Sequence, residues 1–529
     1  MNSTNQLQNN SLTNSWLKLG ILSLGFAGLY SIILVVLRTP QLSSFFPNPH
    51  IFKSALIIHV NLSVLIWLLS VTASVWGSET SLRGEAKPRR GNLMKQYKIP
   101  EIVTLSTFAR NDVFRLYPKL AFLATLLIAI SPIAGHNPVM NNYIPMLENI
   151  VFILGLSLFG VTLLLYAINI LYFFDWTNLN SLVNFTVLST IIMFILSFVC
   201  FGWSYNGLQN IIQIIPIEIE FYYELLFWSG GHLLQFIYTQ ILIFIWVSLF
   251  GELIGRELKF QKFCLFVLYL NFIFGILTLF GHIFYDIIDG AFKVFYTNHM
   301  KYLGGIAPVL YLIGMGVELV WVFVIPRLDR EIQTKYQNNV IDLAIKSRDD
   351  TVTINDRVIK TILLCSITLF LLGGLIAMNI TGINVAIPAH YHGSIVGISI
   401  ACMGCSYLGI GRYQCHCERL KRAWQSHEVI QKLPRLLPRR YFVPPRNDNI
   451  INFIFYLLTF GQILHILGLA FAGGYGVMRK DPNSVMPMSA KLLMGMMGGG
   501  GFIAIVGGLM FVYICVRVMF FKSIKLAHE

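Results

Sequence analysis

Twelve long runs of apolar residues constrain this chain more than any other feature of its sequence. About 20 consecutive apolar residues suffice for a helix to cross the hydrocarbon core of a membrane. The runs are continuous rather than alternating, which favours helices over the strands of a membrane barrel. Charged residues make up only 12% of the chain, against roughly 25% in soluble domains. The runs occupy residues 17–37, 52–76, 116–135, 149–173, 182–202, 219–249, 262–285, 302–325, 360–379, 389–409, 451–475 and 490–519.

The basic residues indicate how the predicted helices are oriented. The net charge is +14, and most Lys and Arg residues lie in four segments, 83–98, 255–262, 327–360 and 412–446. With twelve spans these segments fall on one side, which the positive-inside rule makes cytoplasmic. The sequence therefore predicts an all-α integral membrane protein with one membrane domain over residues 1–529, surrounded by lipid and without a nucleic-acid partner. Both termini are predicted to be cytoplasmic, with residues 1–15 as an N-terminal tail and 412–446 as a basic loop.

Five of the twelve histidines share one predicted depth. A histidine within a membrane span is costly and is therefore a candidate for function. In this topology all five lie in the outer half of the membrane, which is not expected of histidines that only pack. The remaining histidines in or near spans, His136, His282 and His465, are interpreted as packed and hydrogen-bonded. The five are His59 in the second span, His232 in the sixth, His299 between the seventh and eighth, and His390 and His392 at the start of the tenth.

The two histidines of the tenth span are separated by one residue, in the order His390-Tyr391-His392. Residues at this spacing on a helix point about 200° apart. The pair is therefore unsuited to one iron atom but suited to two cofactors on opposite faces of the helix. His59 can then complete a bis-histidine heme with one of them, which leaves the other as the proximal ligand of a five-coordinate heme. Chance clustering of histidines is the alternative on spacing alone.

Four short motifs surround these histidines, namely His59-Val60-Asn61-Leu62, Gly230-Gly231-His232, Asn298-His299-Met300 and Ala389-His390-Tyr391-His392. Their order and depth resemble those of subunit I of the heme–copper oxidoreductase superfamily, over nearly the whole chain. The resemblance implies the twelve-transmembrane-helix bundle of that subunit. It also implies that His59 and His392 are axial ligands of a low-spin heme and His390 the proximal ligand of a high-spin heme, both of b type. His232 and His299 would then bind a non-heme metal facing the high-spin heme.

Two positions depart from the pattern of this family. Asn298 replaces the first histidine of a His-His pair, and an amide oxygen at that position is a harder ligand that suits iron better than copper. Phe236 stands where many oxygen reductases of the family carry a tyrosine that supplies an electron. Tyr285 and Tyr296 lie near the outer end of the seventh span and are possible substitutes for that tyrosine. Reduction of nitric oxide takes two electrons and needs no such tyrosine, so these departures favour nitric oxide over oxygen.

Glu224 lies about two turns before His232 on the same predicted helix. The better-known nitric oxide reductases of the family carry a glutamate at the position of Phe236, so Glu224 is a candidate catalytic residue that reaches the same region. An interfacial carboxylate at the mouth of the helix is the equally weighted alternative.

The sequence thus predicts the catalytic subunit of a respiratory oxidoreductase that reduces nitric oxide, a small gas, to nitrous oxide, as in denitrification. Its expected cofactors are the two hemes and a non-heme iron, with copper as the alternative metal. An oxygen-reducing terminal oxidase is the second hypothesis, and a twelve-span transporter is a distant third. No C-x-x-C-H motif for heme c occurs in the chain, which predicts an electron-donor subunit carrying heme c or copper. The expected location is a respiratory membrane, namely a bacterial inner membrane.

Overall fold

The computed structural model describes residues 2–38, 49–79, 102–174, 176–254, 260–320, 354–425, 448–478 and 487–521. Fifteen α-helices and two short strands make up this part of the chain. They are α1 (Asn2–Arg38), α2 (Pro49–Val60), α3 (Trp67–Glu79), α4 (Ile102–Ile130), β1 (Pro138–Val139), β2 (Met146–Leu147), α5 (Ile150–Tyr172), α6 (Leu182–Ile212), α7 (Ile219–Ile254), α8 (Gln261–Ile276), α9 (Phe280–Phe284), α10 (Gly290–Leu303), α11 (Ile306–Leu319), α12 (Ile354–Met378), α13 (Ala386–Gln425), α14 (Asp448–Gly474) and α15 (Met488–Val516).

Short irregular helices join some of these elements into continuous spans. A π-helical segment, Asn61–Ile66, connects α2 to α3, so that the two form one span. A 3-10 turn, Leu277–Leu279, connects α8 to α9 in the same way. A second 3-10 turn, Ser131–Ala134, follows α4, and a second π-helical segment, Arg517–Phe521, follows α15.

Eleven helical segments within the described residues are long and apolar enough to cross a membrane, which makes the chain an integral membrane protein. Each of them overlaps one of the predicted spans. The predicted tenth span, 389–409, lies within α13, which is not among the eleven but packs along α12 and α14. The all-α membrane architecture is therefore confirmed, and the count of twelve stays a prediction.

Most of the segments used to orient the chain lie outside the described residues. These are 83–98 and the greater parts of 255–262, 327–360 and 412–446. Where the predicted cytoplasmic regions are described, they are helical. Helix α1 begins at Asn2 within the predicted tail 1–15, and α13 extends to Gln425 within the predicted loop 412–446.

His299 lies on a helix and not between two helices as the sequence predicted. Asp289 caps the N-terminus of α10, because its side chain accepts a hydrogen bond of 2.9 Å from the backbone N–H of Ala291. An aspartate at this position satisfies one of the free N–H groups of a first helical turn. The polar residues of α10, Lys293 among them, interrupt the apolar run. The start of this span was therefore predicted too late in the sequence.

Helix α7 is more deeply buried than any other of the eleven spans. It contacts α6 and α8 on either side, α12 and α13 from the second half of the chain, and α10 and α11. A residue on α7 can therefore face several helices of the bundle at once, and the Gly-Gly-His motif lies on this helix.

A two-stranded antiparallel hairpin between α4 and α5 packs against α2 and α7. The side chain of Asn141 organises its turn by accepting hydrogen bonds from the backbone N–H groups of Tyr143 and Ile144, at 3.1 and 2.9 Å. Asn61 in the π-helical segment donates a 2.8 Å hydrogen bond to the carbonyl oxygen of Pro145. The hairpin is thus tied to the bundle next to the predicted site.

Candidate functional site

The two glycines before His232 allow other parts of the chain to approach α7 closely. A Cβ atom on Gly230 would lie 2.3 Å from a ring carbon of Phe201 on α6, and one on Gly231 would lie 2.4 Å from Cγ of Tyr143 in the hairpin. Real Cβ atoms essentially never approach so closely. The Gly-Gly sequence is therefore explained by packing, and it brings Tyr143 next to His232.

His232 is buried and has a defined tautomer. Its Nδ1 lies 2.7 Å from the carbonyl oxygen of Trp228, which can only accept, so Nδ1 carries the proton. The other nitrogen, Nε2, therefore holds a lone pair, and the Tyr143 hydroxyl 2.9 Å away donates to it. A histidine with this arrangement presents Nε2 as a metal ligand, since ligating histidines almost always donate their other N–H to a carbonyl, a carboxylate or water.

His299 faces the same region from α10. Its ring packs against Phe236, which is one turn after His232, with centroids 5.3 Å apart, and Tyr296 packs against the ring of His232 at 5.1 Å. Neither ring nitrogen of His299 makes a hydrogen bond of normal geometry to a described residue, although the carbonyl of Phe274 is close enough to influence the ring. Two histidines on adjacent helices are thus brought together, one of them with unsatisfied buried nitrogens.

Asn298 does not share this environment. Its side chain is exposed, whereas those of His232 and His299 are buried. Successive residues on a helix point about 100° apart, and in α10 it is His299 that points into the bundle, whereas Asn298 points away from it.

Glu224 is part of an ion pair about two turns before His232 on α7. It pairs with Lys293 of α10 and accepts a 3.0 Å hydrogen bond from the side chain of Asn142 in the hairpin. The Lys293 ammonium also lies 4.7 Å from the ring centroid of Trp228, where a cation–π attraction is expected. Glu224 therefore links α7, α10 and the hairpin, and it lies next to the histidine pair without being part of it.

His390 and His392 point to different neighbours, as their spacing predicts. His390 donates from Nδ1 to the carbonyl oxygen of Gly373 on α12, at 2.9 Å. The ring of His392 instead packs edge-on against that of His465 on α14, with centroids 4.7 Å apart. The two imidazoles therefore lie on different sides of α13.

His59 is anchored to α1. Its Nδ1 lies 3.0 Å from the carbonyl oxygen of Ala27 and 2.9 Å from the hydroxyl oxygen of Ser31. The π-helical segment starts two residues later, at Asn61. Such irregular turns inside helices are frequent at functional sites.

Two residues near the site were not predicted from the sequence to take part in it. His465 was interpreted as a packing residue, but it contacts His392 and donates from Nδ1 to the carbonyl oxygen of Met497 on α15, at 2.9 Å. Tyr143 was not singled out, because a tyrosine in a loop carries no signal of its own until the hairpin is placed. The presence of a histidine in a span was the only signal available for His465.

The comparison with solved structures defines the fold. The structure matches a chain of a heme-copper terminal oxidase dimer solved by cryo-electron microscopy with a TM-score of 0.63, covering 97% of this chain and 84% of that one. Sequence identity is 12%, so this likeness establishes the fold alone. The chain is therefore an integral membrane protein with the fold of a heme-copper oxidase.

Sequence relatives define the family more narrowly. A protein of Rickettsia prowazekii (strain Madrid E), described as uncharacterized, is 68% identical over 534 residues, or 100% of both chains. The chain belongs to the same family as this protein. An uncharacterized protein of Aquifex aeolicus (strain VF5) is 25% identical over 399 residues, covering 74% of this chain and 83% of that one. No model of a known protein family matches the sequence.

Two of the three predicted heme ligands, His59 and His390, have the ring orientation that axial ligation requires. His59, His232, His390 and His465 each place Nδ1 against a backbone carbonyl, which leaves Nε2 as the lone-pair nitrogen. This is the tautomer that axial ligation through Nε2 requires. For a second metal the fit is incomplete, because no three His, Cys, Asp or Glu side chains converge anywhere in the described part of the chain. His232 and His299 are a pair, and a further ligand would have to be of another type.

Proposed function

We propose that this chain is the heme-binding catalytic subunit of a respiratory oxidoreductase and that it reduces nitric oxide to nitrous oxide. The observation that carries the proposal is the buried pair of His232 and His299 across α7 and α10, in a bundle with the fold of a heme-copper oxidase. Buried imidazoles within a membrane bundle are costly unless they serve a site.

The proposed heme ligands are on α2 and α13. His59 and His392 would hold a low-spin heme b, and His390 would hold a high-spin heme b on another side of α13. Two observations support this division, namely the different neighbours of His390 and His392 and the Nδ1–carbonyl contacts of His59 and His390. A carbonyl acceptor fixes the plane of the ring and increases the basicity of Nε2 toward iron.

The second metal would be held by His232 and His299, and we propose iron in preference to copper. Asn298, the third ligand predicted from the sequence, is exposed and would have to turn inward to contribute. Imidazole binds iron, copper and zinc alike, so the two histidines alone do not select the metal.

The proposed reaction joins two molecules of nitric oxide with two electrons and two protons to give nitrous oxide and water. When bound, the heme iron and the second metal would supply the electrons and hold and polarise the substrate. The chain itself supplies an apolar wall, because the rings of Phe236 and Phe295 pack against the buried ring of His299. Glu224, the proposed catalytic carboxylate, would lie on the outer side of His232, where protons for the reaction would enter.

Oxygen reduction is the second candidate, and two specific observations favour it. The hydroxyl of Tyr143 lies 2.9 Å from His232, and the ring of Tyr296 lies 5.1 Å from the same imidazole. A phenol beside the metal could supply the electron that Phe236 cannot. The structural neighbour is itself a terminal oxidase, although at 12% identity this supports the fold only.

We further propose that the chain works in a bacterial inner membrane, with its termini in the cytoplasm. Two bacterial relatives and the distribution of basic segments support this location. Electrons would come from a tightly associated subunit carrying heme c or copper, because the chain has no heme c attachment motif.

The proposal is tested by the spectrum and metal content of the purified chain. We expect a reduced-minus-oxidised spectrum of a low-spin and a high-spin heme b, with one further iron atom per chain. Copper in place of that iron would move the protein to the oxidase class. A chain without heme would instead support a transporter and refute the proposal.

A further inference from the structure

We propose that Tyr143, through its phenolate oxygen, is the third protein ligand of the metal held by His232 and His299. This inference rests on the proposed function, since it assumes that a metal binds at these two histidines. It differs from the sequence prediction in taking the oxygen ligand from the hairpin between α4 and α5 and not from Asn298 on α10.

The position of Tyr143 is fixed from several directions. The Asn141 side chain holds the turn of the hairpin, and Asn61 holds Pro145, so the backbone on both sides of Tyr143 is tethered. The ring fills the space where Gly231 lacks a Cβ atom and packs edge-on against Trp228, with centroids 5.3 Å apart. A ligand held in this way by neighbouring hydrogen bonds and packing is preorganised for a metal.

The distance between the two candidate ligand atoms suits a shared metal ion. The Tyr143 hydroxyl oxygen lies 2.9 Å from Nε2 of His232. Ligand atoms about 2.0–2.2 Å from one metal at angles of roughly 90–109° stand about 2.9–3.5 Å apart. A metal bound to both atoms would lie beside the line that joins them. Loss of the hydroxyl proton and a rotation of the imidazole ring would therefore let both atoms bind one ion without moving apart.

Other candidates for a third ligand are less suitable. Asn298 is exposed, and Glu224 is paired with Lys293. No third His, Cys, Asp or Glu side chain joins His232 and His299 within the described residues. The nitrogens of buried His299, by contrast, lack normal hydrogen bonds, as expected for a side chain whose partner is a metal.

A phenolate ligand has two chemical consequences. Binding exchanges the O–H bond of Tyr143 for a metal–oxygen bond and releases one proton to water, with no change in oxidation state. The hard, anionic oxygen favours iron over the softer copper(I). Tyr143 would therefore make the site prefer iron, which is the preference that the sequence suggested for Asn298. It would do so from the hairpin between α4 and α5.

The test uses the full-length chain with its hemes, freed of other metal by a chelator and reloaded with iron alone. After oxidation we expect resonance Raman bands of a tyrosinate ring bound to iron, which shift in protein grown with ring-deuterated tyrosine. Absence of these bands from the iron-loaded wild-type protein overturns the inference without any mutation.

Variants then identify the tyrosine. Tyr143→Phe should lose the bands and bind iron roughly tenfold or more weakly, with the heme spectra unchanged. Tyr296→Phe is the matched control, because Tyr296 also packs against His232 but makes no hydrogen bond to it in the structure, and it should keep both properties. Wild-type iron affinity and bands in Tyr143→Phe would overturn the ligand role alone. Wild-type iron binding in His232→Ala would instead refute the proposed metal site.

Discussion

His59 and His392 are the residues on which the proposed low-spin heme depends. Replacing either by alanine removes one axial ligand, so the low-spin optical and electron paramagnetic resonance signals should disappear. The high-spin signal should persist, because His390 faces α12 and not α14. If both variants keep a normal low-spin spectrum, the assignment of these ligands is wrong.

His465 offers a sharper test of the same heme. Its Nδ1 donates to the carbonyl oxygen of Met497, so its Nε2 holds a lone pair, and its ring packs edge-on against that of His392 with centroids 4.7 Å apart. A polar ring next to an axial ligand stabilises the more highly charged oxidised heme and lowers its potential. We therefore predict that His465→Phe keeps both hemes and raises the midpoint potential of the low-spin heme.

The control for this potential is His136→Phe. His136 follows α4 and is hydrogen-bonded to Ser54, and not to a predicted heme ligand. It should leave the potential unchanged. Loss of the low-spin heme in His465→Phe, with retention in His392→Ala, would show that His465 is itself the axial ligand.

Variants of Glu224 and its ion-pair partner Lys293 can distinguish a proton-transfer role of Glu224 from a structural one. If Glu224 delivers protons, Glu224→Gln should slow turnover by roughly 100-fold or more while the heme spectra stay the same. If Glu224 only balances the charge of Lys293, the double variant Glu224→Gln with Lys293→Met should recover activity. Steady-state gas consumption by the three proteins distinguishes the two roles, and recovery in the double variant counts against proton transfer.

At the level of secondary structure, the approach of the hairpin to α7 depends on one glycine. Gly231→Ala would place Cβ 2.4 Å from the ring of Tyr143, so the hairpin must shift. Overpacking of this kind costs about 1–3 kcal/mol. We predict lower thermal stability and loss of the second metal in this variant.

Gly251→Ala is the matched control on the same helix, because nothing lies within 4 Å of a Cβ atom there. Alanine is favoured over glycine inside a helix by up to about 1 kcal/mol, so this variant should be as stable as the wild type or more so. Equal behaviour of the two variants would show that the contact between Tyr143 and Gly231 does not matter.

The helices were predictable to the extent that apolarity alone defines them. The span of α5, Ile150–Tyr172, lies within one residue of the predicted 149–173, because it is apolar throughout and capped by Asn149. The span containing α10 begins at Gly290 and not near 302 as predicted. The prediction was wrong because Lys293 and its polar neighbours make the first part of this amphipathic helix too polar to be recognised by apolarity. Helix type was therefore predictable, and the start of a partly polar helix was not.

At the scale of the whole molecule, the candidate site residues could be predicted from the sequence, but the residues that contact them could not. The spacing of His390 and His392 predicted that they face apart, since this follows from helix geometry within one element. The pairing of His392 with His465, and of Tyr143 with His232, depends on how distant helices pack and on the close approach that glycines permit. Such contacts between elements have no local sequence signal.

For the whole enzyme, we propose that nitric oxide is reduced at the site of His232 and His299. The most direct test is turnover of each gas by the purified protein with its electron-donor subunit, with His232→Ala as the inactive control. We predict nitrous oxide formed at half the rate of nitric oxide consumed, and little oxygen uptake. Rapid reduction of oxygen to water with negligible nitrous oxide, and copper in the site, would contradict the claim and place the protein among the oxygen reductases.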